Sequence, residues 1–341
     1  MNRPPDDRYS RQVLFRPLGA EGQARLRAAR VLVAGCGGLG AESASLLARA
    51  GVGFLRIVDR DVVELSNLQR QALFDEADVR EGLPKAVAAA RRLARVNSDV
   101  AVEPIVADIG PRNVRGLLDG VDLVVDGFDS FEARFLMNDA CVETRTPLVY
   151  GACIASTGLA ALLVPGVTPC LRCLLPELPE PGSAATCDTA GILGPAAHLA
   201  ASMQVGRALR YLSTGESPPE AELVYADVWE ARFTRMAVPR DPACPCCAGR
   251  QFDFLSVETP QTAVLCGRDS VQVRPLVPSK PDFATLAERL RTLGEVVAND
   301  WLLRFRTEDA ELTLFSDGRA VVKGTNDPAR ARSLVARTFG V

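Results

Sequence analysis

The stretch from Arg30 to Asp59, RVLVAGCGGLGAESASLLARAGVGFLRIVD, constrains the fold more than any other part of the chain. Val31 to Ala34 are an apolar, β-branched run of the kind a buried parallel strand needs. Gly35, Gly37 and Gly40 follow as GxGxxG, with Gly38 among them, and Leu46, Leu47 and Ala50 then give a helix an apolar face for packing on a sheet. Gly51 and Gly53 end that helix, and Phe54 to Val58 read as a second strand. The glycines allow a tight turn, let a phosphate reach the backbone and bring helix and strand into close contact, while amides at the helix N-terminus face the phosphate. Asp59 ends the second strand 19 residues past Gly40, where a carboxylate accepts hydrogen bonds from ribose hydroxyls. The expected fold is α/β, with a Rossmann-like nucleotide-binding domain; a plain tight turn between strand and helix is the alternative.

At 341 residues the chain has room for one large domain with a small appendage, or for two domains. A net charge of -3 and 24% charged residues give no bulk electrostatic case for nucleic acid, and no apolar run is long enough to span a bilayer. The N-terminal MNRPPDDRYSRQ lacks the apolar core of a signal peptide, which points to the reducing cytoplasm. Ten cysteines therefore need a reason other than disulfides. The one histidine, His198, lies in a small apolar helical run from Ala196 to Ala201 and reads as structural. Histidine-rich metal sites are excluded, and any histidine base would have to be that residue.

Residues 8 to 29 read as a short arm and an amphipathic helix. The polar segment after Asp59, RDVVELSNLQRQALFDEADVREGLPKA, begins at the C-terminal end of a strand, where doubly wound sheets bind ligands. Asn67, Arg70 and Lys85 are its informative residues. Pro84 suits the opening turn of a helix, which puts Lys85 near the positive end of that helix; taken singly, each basic residue here also reads as a solvated charge. Val121 to Phe128 form a further buried strand leading to Asp126 and Asp129. Asp129 either holds magnesium against phosphates or caps the helix from Phe131 to Thr144.

Cys170 and Cys173 form one CxxC, and Cys244 and Cys247 form a second, 71 residues after Cys173. Two such pairs supply four thiolates tetrahedrally, as structural zinc requires, with Cys246 an extra thiol able to compete for the fourth place. Pro176 to Asp188 reads as a loop with Cys187 at its end, beside a helix N-terminus where a thiolate would be activated; an ordinary cysteine is the other reading. The first domain is expected over residues 1–250. A compact α+β module over 260–341 shows no catalytic constellation, and the chain has no GxxxxGK[ST] phosphate loop.

These residues together suit ATP better than NAD, since a dehydrogenase wants an acid or base that the single histidine is badly placed to supply. Adenylation needs none: a carboxylate is already ionised at neutral pH, and the remaining task is to align it and to neutralise the leaving pyrophosphate.

RYSRQ, GCGGLG, VDRDVVELSNLQRQ, LPKA, DGFDS, CLRC, TCDTAG and CPCC occur in an order that resembles the ThiF/MoeB family, the bacterial relatives of ubiquitin-activating enzymes, over roughly residues 8 to 249. The resemblance implies adenylation, with ATP and magnesium, of the C-terminal glycine of a ubiquitin-like sulfur carrier ending in Gly-Gly, for later thiocarboxylate formation in thiamine, molybdopterin or tRNA thiolation pathways. By that resemblance Asp59 holds the ribose, Asn67, Arg70 and Lys85 contact the phosphates, and Asp129 binds magnesium. Arg11 reaches the ATP of the other subunit of a homodimer, and Cys170, Cys173, Cys244 and Cys247 bind zinc. Cys187 matches a loop cysteine implicated in sulfur transfer in some members. Cys266 is followed by GRDSVQ rather than a rhodanese active-site loop, so sulfur is expected from a separate donor such as a cysteine desulfurase or rhodanese, and the C-terminal module is expected to dock a partner. The rival readings are an NAD-dependent oxidoreductase, a non-catalytic scaffold for a ubiquitin-like partner, and an activating enzyme that passes its carrier on through a cysteine thioester.

Overall fold

The computed structural model describes residues 8–180, 187–217, 221–257, 262–265, 269–275, 280–307 and 310–340. The chain divides into two compact units, Met1–Val257 and Glu258–Val341.

In chain order the first unit runs α1 (Ser10–Val13), α2 (Gly19–Ala28), β1 (Arg30–Ala34), α3 (Gly38–Ala50), β2 (Phe54–Asp59), a 3-10 turn at Leu65–Asn67, α4 (Glu76–Arg80), α5 (Lys85–Val96) and β3 (Ala101–Val106). It continues through α6 (Val114–Leu117), β4 (Leu123–Asp126), α7 (Phe131–Thr144), β5 (Leu148–Ile154), β6 (Thr157–Leu163), α8 (Leu171–Leu174), α9 (Cys187–Ala190) and α10 (Gly194–Thr214), ending in β7 (Ala221–Asp227), β8 (Arg232–Val238) and α11 (Asp253–Ser256). The strands form one sheet in the order β3-β2-β1-β4-β5-β6-β7-β8. The first five are parallel and the rest antiparallel, which makes the sheet mixed.

β1 and β4 lie at the centre of the parallel part, and Val31 to Ala34 and Leu123 to Val125 are fully buried, as their unbroken apolar runs require. β8 is the opposite case, an edge strand exposed from Arg232 to Ala237. The arm before α2 is tied to the C-terminal end of α3. The Tyr9 ring fills the space where a Cβ on Gly51 would stand, at 2.5 Å, and its hydroxyl accepts a hydrogen bond from Asn97 Nδ2 at 2.8 Å. Gln12 Nε2 donates to the Ala50 carbonyl at 2.9 Å. Gly51 closes α3 with φ +81°, a conformation glycine takes at little cost. On the other side of the sheet order, Gln204 of α10, fully buried, donates to the backbone carbonyls of Asp126 at 2.8 Å and Val149 at 3.2 Å, pinning that helix to the ends of β4 and the start of β5.

The second unit contains β9 (Thr262–Leu265), β10 (Ser270–Val273), α12 (Phe283–Leu290), β11 (Glu295–Ala298), β12 (Leu302–Arg306), β13 (Glu311–Phe315), β14 (Ala320–Lys323) and α13 (Pro328–Phe339). Its sheet is antiparallel throughout, in the order β11-β12-β13-β14-β10-β9. Val271, Leu303, Phe305, Leu312, Leu314 and Val322 alternate onto one face and pack with Leu290, Val335 and Phe339 of the helices. Asp282 and Asp327 cap the two helices by accepting N–H groups of their first turns. β9 has no counterpart in the sequence reading. Among the described residues no helix is long and apolar enough to cross a membrane.

Candidate active site

β1 and β4 end side by side, and the backbone beyond them makes the crevice. Gly35 has φ +91°, and a Cβ there would stand 2.6 Å from the Gly127 carbonyl oxygen, so the two strand exits touch through backbone alone. Gly40 is packed harder still: a Cβ would lie 1.8 Å from the carbonyl oxygen of Gly35. Gly37 takes the N-cap position of α3 and Gly38 its first helical position, with no side chain capping the helix. The N–H groups of the first turn of α3 are therefore without intrahelical partners and face the crevice edge, the arrangement that receives a phosphate. This crevice lies at the carboxyl ends of the strands, where the order reverses between β1 and β4.

Asp59 ends β2 and faces that turn. Its Oδ2 accepts the Cys36 N–H at 2.6 Å and its Oδ1 accepts the Asp61 N–H at 2.7 Å. Each oxygen keeps a lone pair for a further donor such as a ribose hydroxyl. Burial pushes the Asp59 carboxyl up from its ordinary range, opposed by Lys85 and by the two N–H donors. Burial also raises the Cys36 thiol well above its usual value, which removes it as a nucleophile.

The segment after β2 folds back so that Lys85 N–H reaches the Asp61 carbonyl at 2.9 Å and Val63 N–H the Leu83 carbonyl at 2.9 Å. Pro84 holds the N-cap of α5 rather than its first turn, and Lys85 is the first helical residue. Lys85 is 4% exposed and its Nζ lies 3.2 Å from Asp61 Oδ2, a partner that sequence reasoning did not name. Asn67 is buried, and its side-chain oxygen accepts the Glu64 N–H at 3.0 Å, closing the 3-10 turn. Arg70 Nη1 donates to the Ser66 carbonyl at 2.9 Å, while its side-chain stem passes 3.6 Å from where a Gly38 Cβ would stand. Arg70 thus lies over the N-terminus of α3, so glycine turn and basic segment converge.

Asp126 and Asp129 separate cleanly. Asp126 is buried, accepts the Phe128 N–H at 2.9 Å and pairs with Arg134 Nε at 3.2 Å, so it builds the fold. Burial raises its carboxyl, with Arg134 opposing. Asp129 is exposed, and among the described residues its carboxylate accepts no hydrogen bond. The helix-capping alternative for Asp129 does not hold: Ser130 is the N-cap of α7 and accepts the Ala133 N–H at 3.3 Å. β4 also stops at Asp126, two residues short of the expected Phe128, because the Asp126 side chain takes the Phe128 N–H and turns the chain out of the ladder.

Sequence reasoning missed Arg60. Its Nη1 sits 3.3 Å from Asp108 Oδ1; burial disfavours its charge, but Asp61, Asp108, Asp129 and Asp59 outweigh that and hold it charged. The only signal was the alternation Asp59-Arg60-Asp61 at a strand end. Arg11 lies exposed in α1, on the arm anchored to the C-terminal end of α3. α3 has 13 residues, so its two ends stand about 20 Å apart, and Arg11 belongs to the end far from its own glycine turn. The Cys187 backbone opens α9, while its side chain, Cys266, and residues 181–186 of the loop lie outside the described residues. His198 is half-buried on α10, and its Nε2 has no hydrogen-bond partner among the described residues.

A second centre lies beyond α7. Cys170, Cys173, Cys244 and Cys247 bring four sulfurs within 4.8 Å of one another, with Cys170 and Cys244 3.7 Å apart and Cys173 and Cys247 3.5 Å apart. Those separations and an all-thiol donor set fit a tetrahedral zinc site. Cys246 is outside the set; it is buried and receives a hydrogen bond from Asn138 Nδ2 at 3.3 Å.

Mixed sheet, uncapped glycine turn and converging basic residues define a Rossmann-like nucleotide-binding protein, and the four-thiol centre narrows the class further. The chain belongs to the ThiF family, whose model matches residues 9–246. It is 48% identical over 337 residues to the sulfur carrier protein ThiS adenylyltransferase of Bacillus subtilis, covering 98% of this chain and 99% of the relative. It is 43% identical over 249 residues to the SAMP-activating enzyme E1 of Haloferax volcanii, covering 73% of this chain and 91% of the relative. Among solved structures, E. coli MccB with ATP superposes with a TM-score of 0.60 at 25% identity, covering 72% of this chain and 75% of that one.

Proposed function

We propose that this chain adenylates the C-terminal glycine of a ubiquitin-like sulfur carrier. The carrier carboxylate attacks the α-phosphorus of ATP, the bond to the bridging oxygen of the β-phosphate breaks, and acyl-AMP and pyrophosphate are formed. The observation that carries this reading is the match to the Bacillus subtilis ThiS adenylyltransferase, which extends over 337 residues and so takes in the C-terminal unit as well as the adenylation unit. The shorter match to the Haloferax relative uses 91% of that protein and only 73% of this one. The shared extension favours a ThiS-type carrier over the other carriers of the family.

The site chemistry supports the same reaction. The first turn of α3, Arg70 and Lys85 receive the phosphates, Asn67 steadies the segment that carries Arg70, and Asp59 takes the ribose. Asp129, exposed and without a capping duty, is the carboxylate that would hold magnesium, whose charge would neutralise the departing pyrophosphate. No general base is required, and His198 is not asked to act as one. Arg11, anchored at the far end of α3, serves the site of a second subunit. The four cysteines hold zinc as a structural clamp between two distant segments. Sulfur comes from a separate donor, and Cys187 is the candidate residue for its transfer.

ATP–pyrophosphate exchange by the purified protein, with Gly-Gly-ending carriers supplied one at a time, tests the reading. Exchange that requires a carrier and disappears in Asp129→Ala supports adenylation and identifies the carrier. Folded, zinc-bearing protein that gives no exchange with any carrier would overturn it in favour of a scaffold.

A further inference from the structure

α7 carries buried polar groups that adenylation leaves without a task. Near its start, Arg134 bonds the strand exit through Asp126 Oδ2 at 3.2 Å, the Phe128 carbonyl at 2.6 Å and the Gly151 carbonyl at 3.2 Å. Four residues on, and so on the same face of the helix, stands Asn138, which is 1% exposed. Its Oδ1 accepts the N–H of Leu171, inside the first cysteine pair, at 2.8 Å. That bond fixes the orientation of the amide and aims Nδ2 at Cys246, inside the second pair, at 3.3 Å. The neighbouring Asp139, fully buried, accepts from Asn138 Nδ2 at 3.4 Å and from the Phe254 N–H at 3.1 Å.

We propose that Asn138 is a positioning residue for the four-thiol centre, and that α7 joins that centre mechanically to the strand exit bearing Asp129. The proposal rests on the zinc reading given above and is independent of the adenylation reading. One side chain bridges both cysteine pairs without being a ligand, and groups of this kind set ligand orientation and metal retention. Without it, the Leu171 N–H would be buried with no partner, and the one side chain that touches the interior of both pairs would be lost. Arg134 and Asn138 sit one turn apart on one rigid helix, so a shift at the thiols is carried to residues 126–131.

The experiment follows zinc release from the full-length protein to a chromophoric chelator. Zinc-loaded wild type releases slowly, and Asn138→Ala releases roughly 10 to 100 times faster. Asn138→Asp keeps the acceptor for Leu171 N–H, loses the donor to Cys246 and falls between the two. Leu136→Ala, a buried apolar truncation on the same helix, lowers Tm without speeding release. Amide hydrogen exchange over residues 126–131 rises when zinc is stripped from the wild type, and rises in Asn138→Ala before stripping. Release from Asn138→Ala within about twofold of wild type, or equal acceleration by Leu136→Ala, overturns the positioning role. Unchanged exchange at 126–131 after stripping overturns the mechanical link, and wild type that holds no zinc overturns the zinc reading beneath both. None of these readouts uses ATP or a carrier, so each outcome stands apart from the adenylation test.

Discussion

Asp126 and Asp129 show how three positions along a chain separate building from chemistry. Asp126 lies inside, paired with Arg134, and Asp129 lies outside beside a helix that Ser130 already caps. Asp129→Ala is expected to abolish carrier-dependent exchange while moving Tm by no more than about 2 °C, since an exposed carboxylate without hydrogen bonds contributes little to stability. Asp126→Ala should do the reverse in a thermal melt, costing about 3–5 kcal/mol because it strands the buried Arg134 guanidinium. Melts of equal Tm for the two variants would contradict this division. Lys85 shows where the sequence stopped: its place at the start of α5 follows from Pro84, but its pairing with Asp61 depends on the segment between them folding back.

At the scale of elements, the antiparallel sheet of the second unit carries a charge cluster that makes its stability depend on pH. Glu311 on β13 is bonded by Arg306 Nη2 at 2.6 Å and faces Arg304 and Lys323. Burial alone would raise its carboxyl, but these three cations outweigh it and hold the group below the usual glutamate range. A carboxyl depressed in the folded state stabilises above its unfolded value, and that contribution is lost as pH falls through about 4.5 and below. Trp229 and Trp301 are the two tryptophans, and Trp229 is 76% exposed, so Trp229→Phe leaves Trp301 as the reporter of this unit. Its melting temperature should fall between about pH 5 and pH 3, with a shallower fall in Glu311→Gln; parallel curves would remove Glu311 as the cause. In the first unit, Cys247→Ser should lower zinc content and Tm together, as a clamp between segments distant in sequence requires.

At the scale of the whole molecule, the proposed function places Arg11 and Asp129 in one site but on different subunits. Arg11→Ala and Asp129→Ala should each be inactive, yet unfolding and refolding them together should restore up to about a quarter of wild-type exchange, because half of a randomly reassociated dimer population carries one intact site of two. No recovery from a refolded mixture would place Arg11 in its own subunit's site. The sequence by itself determined the βαβ unit around Gly35, Gly37 and Gly40, the buried strands and the two cysteine pairs, because glycine conformation, strand burial and thiol spacing are local properties of the chain. It also ordered nearly all of the second unit's elements, through alternation and helix caps. Tertiary structure alone decided that Ser130 rather than Asp129 caps α7, that Arg60 is held among four carboxylates, that Cys246 stays outside the thiol set and that Asn138 bridges both pairs. Each of those depends on which distant segments meet, and a partner supplied from across the fold leaves no trace in local spacing.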